Sequence, residues 1–342
     1  MEKKKMKKGL LKKAVACVCA FASIVASGCL PTTEREEVTI YMPDGAPALA
    51  LAKLMHEDTA DDGVTYKVVS ADLIASKVTN KDETKNADLC IMPVTAASKL
   101  LGSGETYTML GTVTHGNLYM IAKEDAMYTS ENLSSLIGKK VGVLQINSVP
   151  GLTFKAVLNK YDIPWQEMSN EGGMVEDKVN LIAITGADAV GVVDADCFVI
   201  AQPAASAQAK KSYSIVGNLQ TLYGGENGYP QAVLVAKNKF VKQKKDWTID
   251  FVEKVQAAAD WLTTASGETL VAAVSAHMED EGTATSLKAP LLSQTALSGC
   301  GIRFTYAASD FAEVNEFLIA MIEVNANATT LPSNNFYWTY SK

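Results

Sequence analysis

Arginine is almost missing from this chain: Arg35 and Arg303 are the only two among 342 residues. That removes most of the planar, forked side chains that read phosphates and base edges. Beyond the first 28 residues the remainder holds 24 basic and 37 acidic residues, so it also lacks the basic footprint of a nucleic-acid binder. Histidine is scarce as well. His56, His115 and His277 stand far from one another and from the cysteines, which argues against a zinc site of ordinary spacing. No G-x-S-x-G, Ser-x-x-Lys, His-Glu-x-x-His or P-loop pattern occurs, so no familiar catalytic signature is present. Six cysteines contain no C-x-x-C; Cys17, Cys19 and Cys29 lie near the start, and an odd three remain, Cys90, Cys197 and Cys300. Cys90 and Cys197 sit in apolar runs and read as small buried hydrophobes, not as a disulfide framework. Long apolar runs are missing too. The apolar segment near the start, residues 14–26, would make about 20 Å of helix against a bilayer core of roughly 30 Å.

What is present begins with an export signal. Seven lysines precede the uncharged run AVACVCAFASIVA, which ends in Ala26-Ser27-Gly28-Cys29. A basic segment, a short apolar segment and small residues form a signal peptide rather than a permanent span. The last four residues resemble the lipobox of bacterial lipoproteins, with Ala26 where leucine is commoner. The resemblance implies removal of residues 1–28, acylation (palmitate) of Cys29, and a linker over 29–36. An ordinary secretory signal or an uncleaved anchor is the alternative.

The body is long enough for two cores, and it repeats itself. VTIYMPDGAPALALAKLM (38–55) aligns without a gap on VGVLQINSVPGLTFKAVL (141–158). Each reads as strand, polar pair, proline and apolar helix, with proline in the first helical turn. ADLCIMPVTAAS (87–98) pairs with ADCFVIAQPAAS (195–206), and LYMIAK pairs with AVLVAK. Three pairs in the same order point to two related α/β lobes. Strands are expected near 38–42, 65–70, 87–93, 107–114, 119–124, 140–146, 197–203, 213–216 and 231–237. Helices are expected near 46–57, 71–79, 94–101, 149–161, 176–185 and 204–211. Apolar strands alternating with helices predict an α/β fold of mostly parallel sheets covered on both faces. From 239 onward the pattern is helical (239–265, 267–281, 309–325), with no strand expected there.

Exported lipoprotein, duplicated lobes and a late helical block resemble the substrate-binding lipoproteins of ABC importers, specifically the nitrate/sulfonate/thiamine-precursor class. The likeness rests on Cys29 with its signal, the 42–47 and ADLCIMP segments, LSSLIGKKVGV (133–143), VDADCFVIAQPAAS and YPQAVLVAKNKF (229–240). It implies a two-lobed, periplasmic-binding-protein-like fold of type II. The first lobe would take residues 37–116 and 230–342, the second 117–229, with crossings near 115–118 and 227–231. It further implies an extracytoplasmic receptor, lipid-anchored to the cell membrane and monomeric, that closes on a small molecule and delivers it to a permease driven by an ATPase. No cofactor, metal, nucleic acid or enzymatic activity is implied. An exported enzyme or a ligand-sensing module on the same scaffold is the alternative.

Ligands of open α/β sheets bind beyond the carboxyl ends of the strands. The candidates are therefore Asp44-Gly45-Ala46 and Asn147-Ser148-Val149, then Pro93 with Thr95, and Gln202; helix capping and turn structure are the plain readings of the same residues. His115 and Asn117 at one crossing, and Tyr223 and Tyr229 at the other, add groups that hydrogen-bond or stack on a flat ligand. Asp88 and Asp196 read as strand-capping residues. With neither arginine in a candidate loop, the ligand is expected to be small, polar, and neutral or zwitterionic.

Overall fold

The computed structural model describes residues 37–59, 63–168 and 173–340. The expected signal peptide, Cys29 and Arg35 lie outside the described residues. Among the described residues twelve strands form two sheets. The first contains β1 (Val38–Pro43), β2 (Val64–Val69), β3 (Leu89–Pro93) and β4 (Tyr107–Thr114). The second contains β5 (Leu118–Ala122), β6 (Lys140–Leu144), β7 (Trp165–Glu167), β8 (Val179–Ile184), β9 (Cys197–Ala201) and β10 (Ser214–Asn218). The chain then returns to the first sheet with β11 (Ala232–Lys237) and β12 (Ile302–Tyr306). The orders are β12-β4-β11-β3-β1-β2 and β10-β5-β9-β6-β8-β7.

The helices are α1 (Ala46–Leu49), α2 (Ala52–His56), α3 (Val94–Leu101), α4 (Val149–Lys160), α5 (Ala204–Ala209) and α6 (Leu219–Gly224). They continue as α7 (Asn238–Gln243), α8 (Lys245–Leu262), α9 (Gly267–Ser275), α10 (Gln294–Ser298) and α11 (Phe311–Val324). The repeated segments take equivalent places: β1 and β6, β3 and β9, and β11 and β5 match when one order is shifted by one strand against the other. Pro47 and Pro150 both sit in a first helical turn, where the missing N–H has no intrahelical partner to lose.

Both sheets are mixed. β1 pairs in parallel with β2 and β3, and β6 with β8 and β9, whereas β5 and β11 run antiparallel to their neighbours. The cause is the crossing itself. β4 ends at the carboxyl edge of its sheet, so the next strand, β5, enters the other sheet at that sheet's carboxyl edge and must run backwards. β11 does the same on return.

Four expectations are corrected. Residues 176–185 hold strand β8, not a helix, because VNLIAI buries four of its six residues between β6 and β7. The region after 239 is not strand-free, since β12 pairs with β4 at the edge of the first sheet. The helix over 239–265 is two helices, broken at Lys244, where φ −122° and ψ 41° leave the helical region. The stretch 71–79 holds only a 3₁₀ turn, Ile74–Lys77.

Helix α11 packs against α3 of the first sheet's layer and α4 of the second. There Phe317 stacks on Tyr229 with centroids 5.3 Å apart, and Tyr223 meets both edge-on. Among the described residues no helix is long and apolar enough to cross a membrane.

Candidate ligand site at the strand ends and crossings

Asp44 closes β1, but its carboxylate turns toward a distant loop. Oδ1 accepts from Gly45 N (2.8 Å) and Thr285 Oγ1 (2.5 Å), and Oδ2 accepts from Ser286 N (2.6 Å). Gly45 has φ 99°, and a Cβ there would meet nothing within 4 Å, so dihedral freedom rather than space requires glycine. Ala46 is buried. In the other lobe Asn147 and Ser148 are exposed at the end of β6, and Val149 is buried. Sequence reasoning missed what fixes this loop. Lys155, only 2% exposed, donates from Nζ to Ile146 O (2.9 Å) and pairs with Glu167 Oε1 (2.6 Å). The signal was a lone lysine inside the apolar stretch LTFKAVL.

Pro93 precedes α3, and the Thr95 carbonyl accepts from Thr329 Oγ1 at 2.9 Å. Gln202 and Asn117 are brought together: Gln202 N donates to Asn117 O (2.8 Å), and Asn117 Nδ2 lies 3.5 Å from Gln202 O. Gln202 Oε1 accepts from Ser206 N (3.2 Å), and the Gln202–Pro203 peptide is cis. Tyr229, 1% exposed, lies beneath Gly116 and against Phe317, so it is core rather than a stacking platform. Burial raises the Tyr223 phenol to about 12.

The first crossing carries the least satisfied chemistry. His115 N donates to Gly301 O (2.8 Å), and its Nε2 lies 3.0 Å from Thr305 Oγ1. Its Nδ1 has no partner among the described residues, and neither do Thr114 Oγ1, Asn117 Oδ1 and Gln231 Oε1. Thr114, His115 and Asn117 are 1%, 4% and 5% exposed. Gln231 N donates to Thr114 O, and Val94 N donates to Gln231 O, which ties this cluster to the start of α3. An unpaired buried polar atom costs about 1–3 kcal/mol, so two adjacent segments carrying four of them need an explanation. Burial and then Arg303 push His115 down to about 3, which keeps the ring neutral. Arg303 is a correction to the sequence reading. Carried by β12, it donates from Nη2 to Asn227 O at 2.5 Å and so stands beside the second crossing.

Two cavities lie elsewhere. One of about 350 Å³, lined by Lys123, Tyr128, Lys139 and Tyr213 among others, opens at the far end of the second sheet. Another of about 400 Å³ lies on the first lobe against Tyr66, Trp247 and Phe251. Among the described residues no cluster of three or more His, Cys, Asp or Glu could hold a metal ion.

Two six-stranded mixed sheets flanked by helices, with the chain crossing between them twice, make this the two-lobed α/β fold of periplasmic binding proteins. An ABC transporter structure from Parabacteroides distasonis is similar, at 18% identity over 88% of this chain and 98% of that one, with a TM-score of 0.67. The periplasmic aliphatic sulphonate binding protein SsuA from Escherichia coli shares 15% identity over 90% of this chain and 93% of its own, at a TM-score of 0.65. The alkanesulfonate-binding protein SsuA from Xanthomonas axonopodis pv. citri, bound to MOPS, shares 14% over 87% and 95%, at 0.54. No protein-family model matches the sequence, and neither does any curated protein.

Proposed function

We propose that this chain is the extracytoplasmic solute receptor of an ABC importer. Residues 37–116 with 230–342, and 117–229, act as two lobes that close on a small polar molecule. The closed form presents its ligand to a permease driven by an ATPase. Acylated Cys29 holds the monomeric receptor at the outer face of the cell membrane. The observation that carries the reading is the set of unpaired buried atoms on Thr114, His115, Asn117 and Gln231, at the crossings where one ligand touches both lobes. Closure then follows from contacts made only in the closed form.

These four groups are uncharged, since His115 is held neutral. They favour a ligand that brings hydrogen-bond donors to Asn117 Oδ1 and Gln231 Oε1. Arg303, beside the second crossing, favours an oxyanion, such as the sulphonates named for two of the similar structures.

A thermal-shift screen of heterocycles, amino compounds and aliphatic sulfonates tests this. A ligand at about a hundred times its Kd adds about 2.7 kcal/mol to stability. The hit should lose affinity in Asn117→Ala and Gln231→Ala. Turnover of a hit, or a hit indifferent to both variants, overturns the reading.

A further inference from the structure

Residues 237–245 read KNKFVKQKK, five lysines and no acid, in a chain whose body is otherwise strongly acidic. The fold sorts these lysines. Lys237 turns inward to Asp88 Oδ1 (3.1 Å) and Asn86 O (2.6 Å). Phe240 and Val241 bury the inner face of α7, and Phe240 meets Trp247 edge-on at 5.3 Å. That leaves Lys239 and Lys242, one turn apart, together with Lys245, exposed around the half-buried Trp247; Asp246 and the exposed Glu105 beside them leave the group with one net positive charge. Asn238 Nδ2 pins the start of α7 to the carbonyls of Gly104 (2.8 Å) and Glu105 (2.9 Å), so the cluster sits on a fixed element.

Topology gives this cluster an address. β11 runs antiparallel to β3, and β3 parallel to β1, so the end of β11 and the beginning of β1 share one pole of the first sheet. Two strand spacings, about 10 Å, separate them. The chain therefore enters the fold, at Glu37 and Val38, beside the lysines. The candidate ligand residues lie at the other ends of β1 and β3.

We infer that this pole, formed by α7 and the first turn of α8, rests on a bilayer of anionic phospholipid, with Trp247 at the headgroup level. The inference rests on the lipid-anchor part of the proposed function. The eight residues from Cys29 to Glu37 reach at most about 29 Å, so an acylated Cys29 holds this pole, and not the opposite one, at the membrane. Each lysine near an anionic surface strengthens binding roughly fivefold, and the attraction is screened within a Debye length. The tethered receptor then waits with its ligand residues turned away from the bilayer.

The test is amine labelling read by mass spectrometry, on the acylated protein reconstituted into vesicles of phosphatidylglycerol or of phosphatidylcholine. Lys211, exposed on the second lobe, is the internal control. On phosphatidylglycerol at low salt, labelling of Lys239, Lys242 and Lys245 should slow at least fivefold and recover in 0.5 M salt, with Lys211 unchanged. The same measurement on the Cys29→Ala chain separates the patch from the anchor. Slowing that depends on phosphatidylglycerol there supports the surface even if the native protein proves unacylated. Equal labelling on both lipids in both chains overturns the inference. So does protection that appears only when the permease is present, which would make this a protein-docking face.

Discussion

Thr112 and Thr305 face each other across β4 and β12, and each hydroxyl holds a buried titratable side chain. Thr112 donates to Asp310 Oδ2, and Thr305 Oγ1 lies 3.0 Å from His115 Nε2. Desolvation dominates both shifts, with opposite sign: it pushes Asp310 up to about 6 and His115 down to about 3.

Opposed shifts give opposed pH dependences. Asp310 binds its proton more readily in the folded state, so its contribution grows as pH falls from about 6 to the ordinary carboxylate range. His115 binds its proton less readily when folded, so its contribution is present above about 6.5 and is lost as pH falls toward 3. Between about pH 4 and 6 the two slopes cancel. Asp310→Asn should uncover a fall in stability of up to about 1.4 kcal/mol per pH unit over that window, and His115→Gln a rise. Denaturant unfolding at pH 4, 5 and 6 checks this. Parallel profiles for the two variants would refute it.

Asp88 and Asp196 should stabilise their sheets in the same way. Asp88 Oδ2 accepts from Thr39 N (3.1 Å) while Asp88 N donates to Thr39 O; Asp196 Oδ2 accepts from Lys140 N (2.7 Å) while Asp196 N donates to Lys140 O. Asp88→Ala should cost about 1.5–3 kcal/mol, and the more exposed Asp196→Ala less. Equilibrium unfolding measures both.

Gly116→Ala should be among the most damaging small changes. At φ 85° a Cβ would stand 2.7 Å from the Tyr229 ring and 2.8 Å from Gln220 Cγ, with little room to relax. Left-handed strain and overpacking together amount to roughly 2–4 kcal/mol, read as a lowered unfolding midpoint.

Asp44 should act on stability through the loop it holds. Asp44→Ala and Thr285→Val should be non-additive, with a coupling of about 0.5–3 kcal/mol in a double-mutant cycle. Additive effects would mean that the carboxylate does not depend on Thr285.

Local signals carried much of the fold. A continuous apolar strand, a polar pair and a proline recur within eighteen residues in both lobes, so β1 with α1 and β6 with α4 were readable. VNLIAI was misread because a short apolar run fits either period. β12 was overlooked although Ile302, Phe304 and Tyr306 alternate, since its only strand partner lies nearly two hundred residues earlier. The site was less legible for the same reason. Nothing local tells that Asp44 is bound to Thr285, that Arg303 reaches Asn227, or that Tyr229 is sealed under Gly116.

The place of β11 between β3 and β4 governs the order in which the molecule can be completed as it emerges, amino end first. Every strand of the second sheet is present once residue 218 has appeared, and that sheet needs nothing later. At that moment β4 has neither neighbour, and β3 has one open side. Both stay so until residue 237 is out, and β4 keeps a bare edge until residue 306. The newborn chain thus passes through a stage with one finished half and one half exposing three strand edges that the completed fold covers, the condition under which chains pair with the wrong partner. Sealing β3 and β4 therefore waits on the last third of the chain.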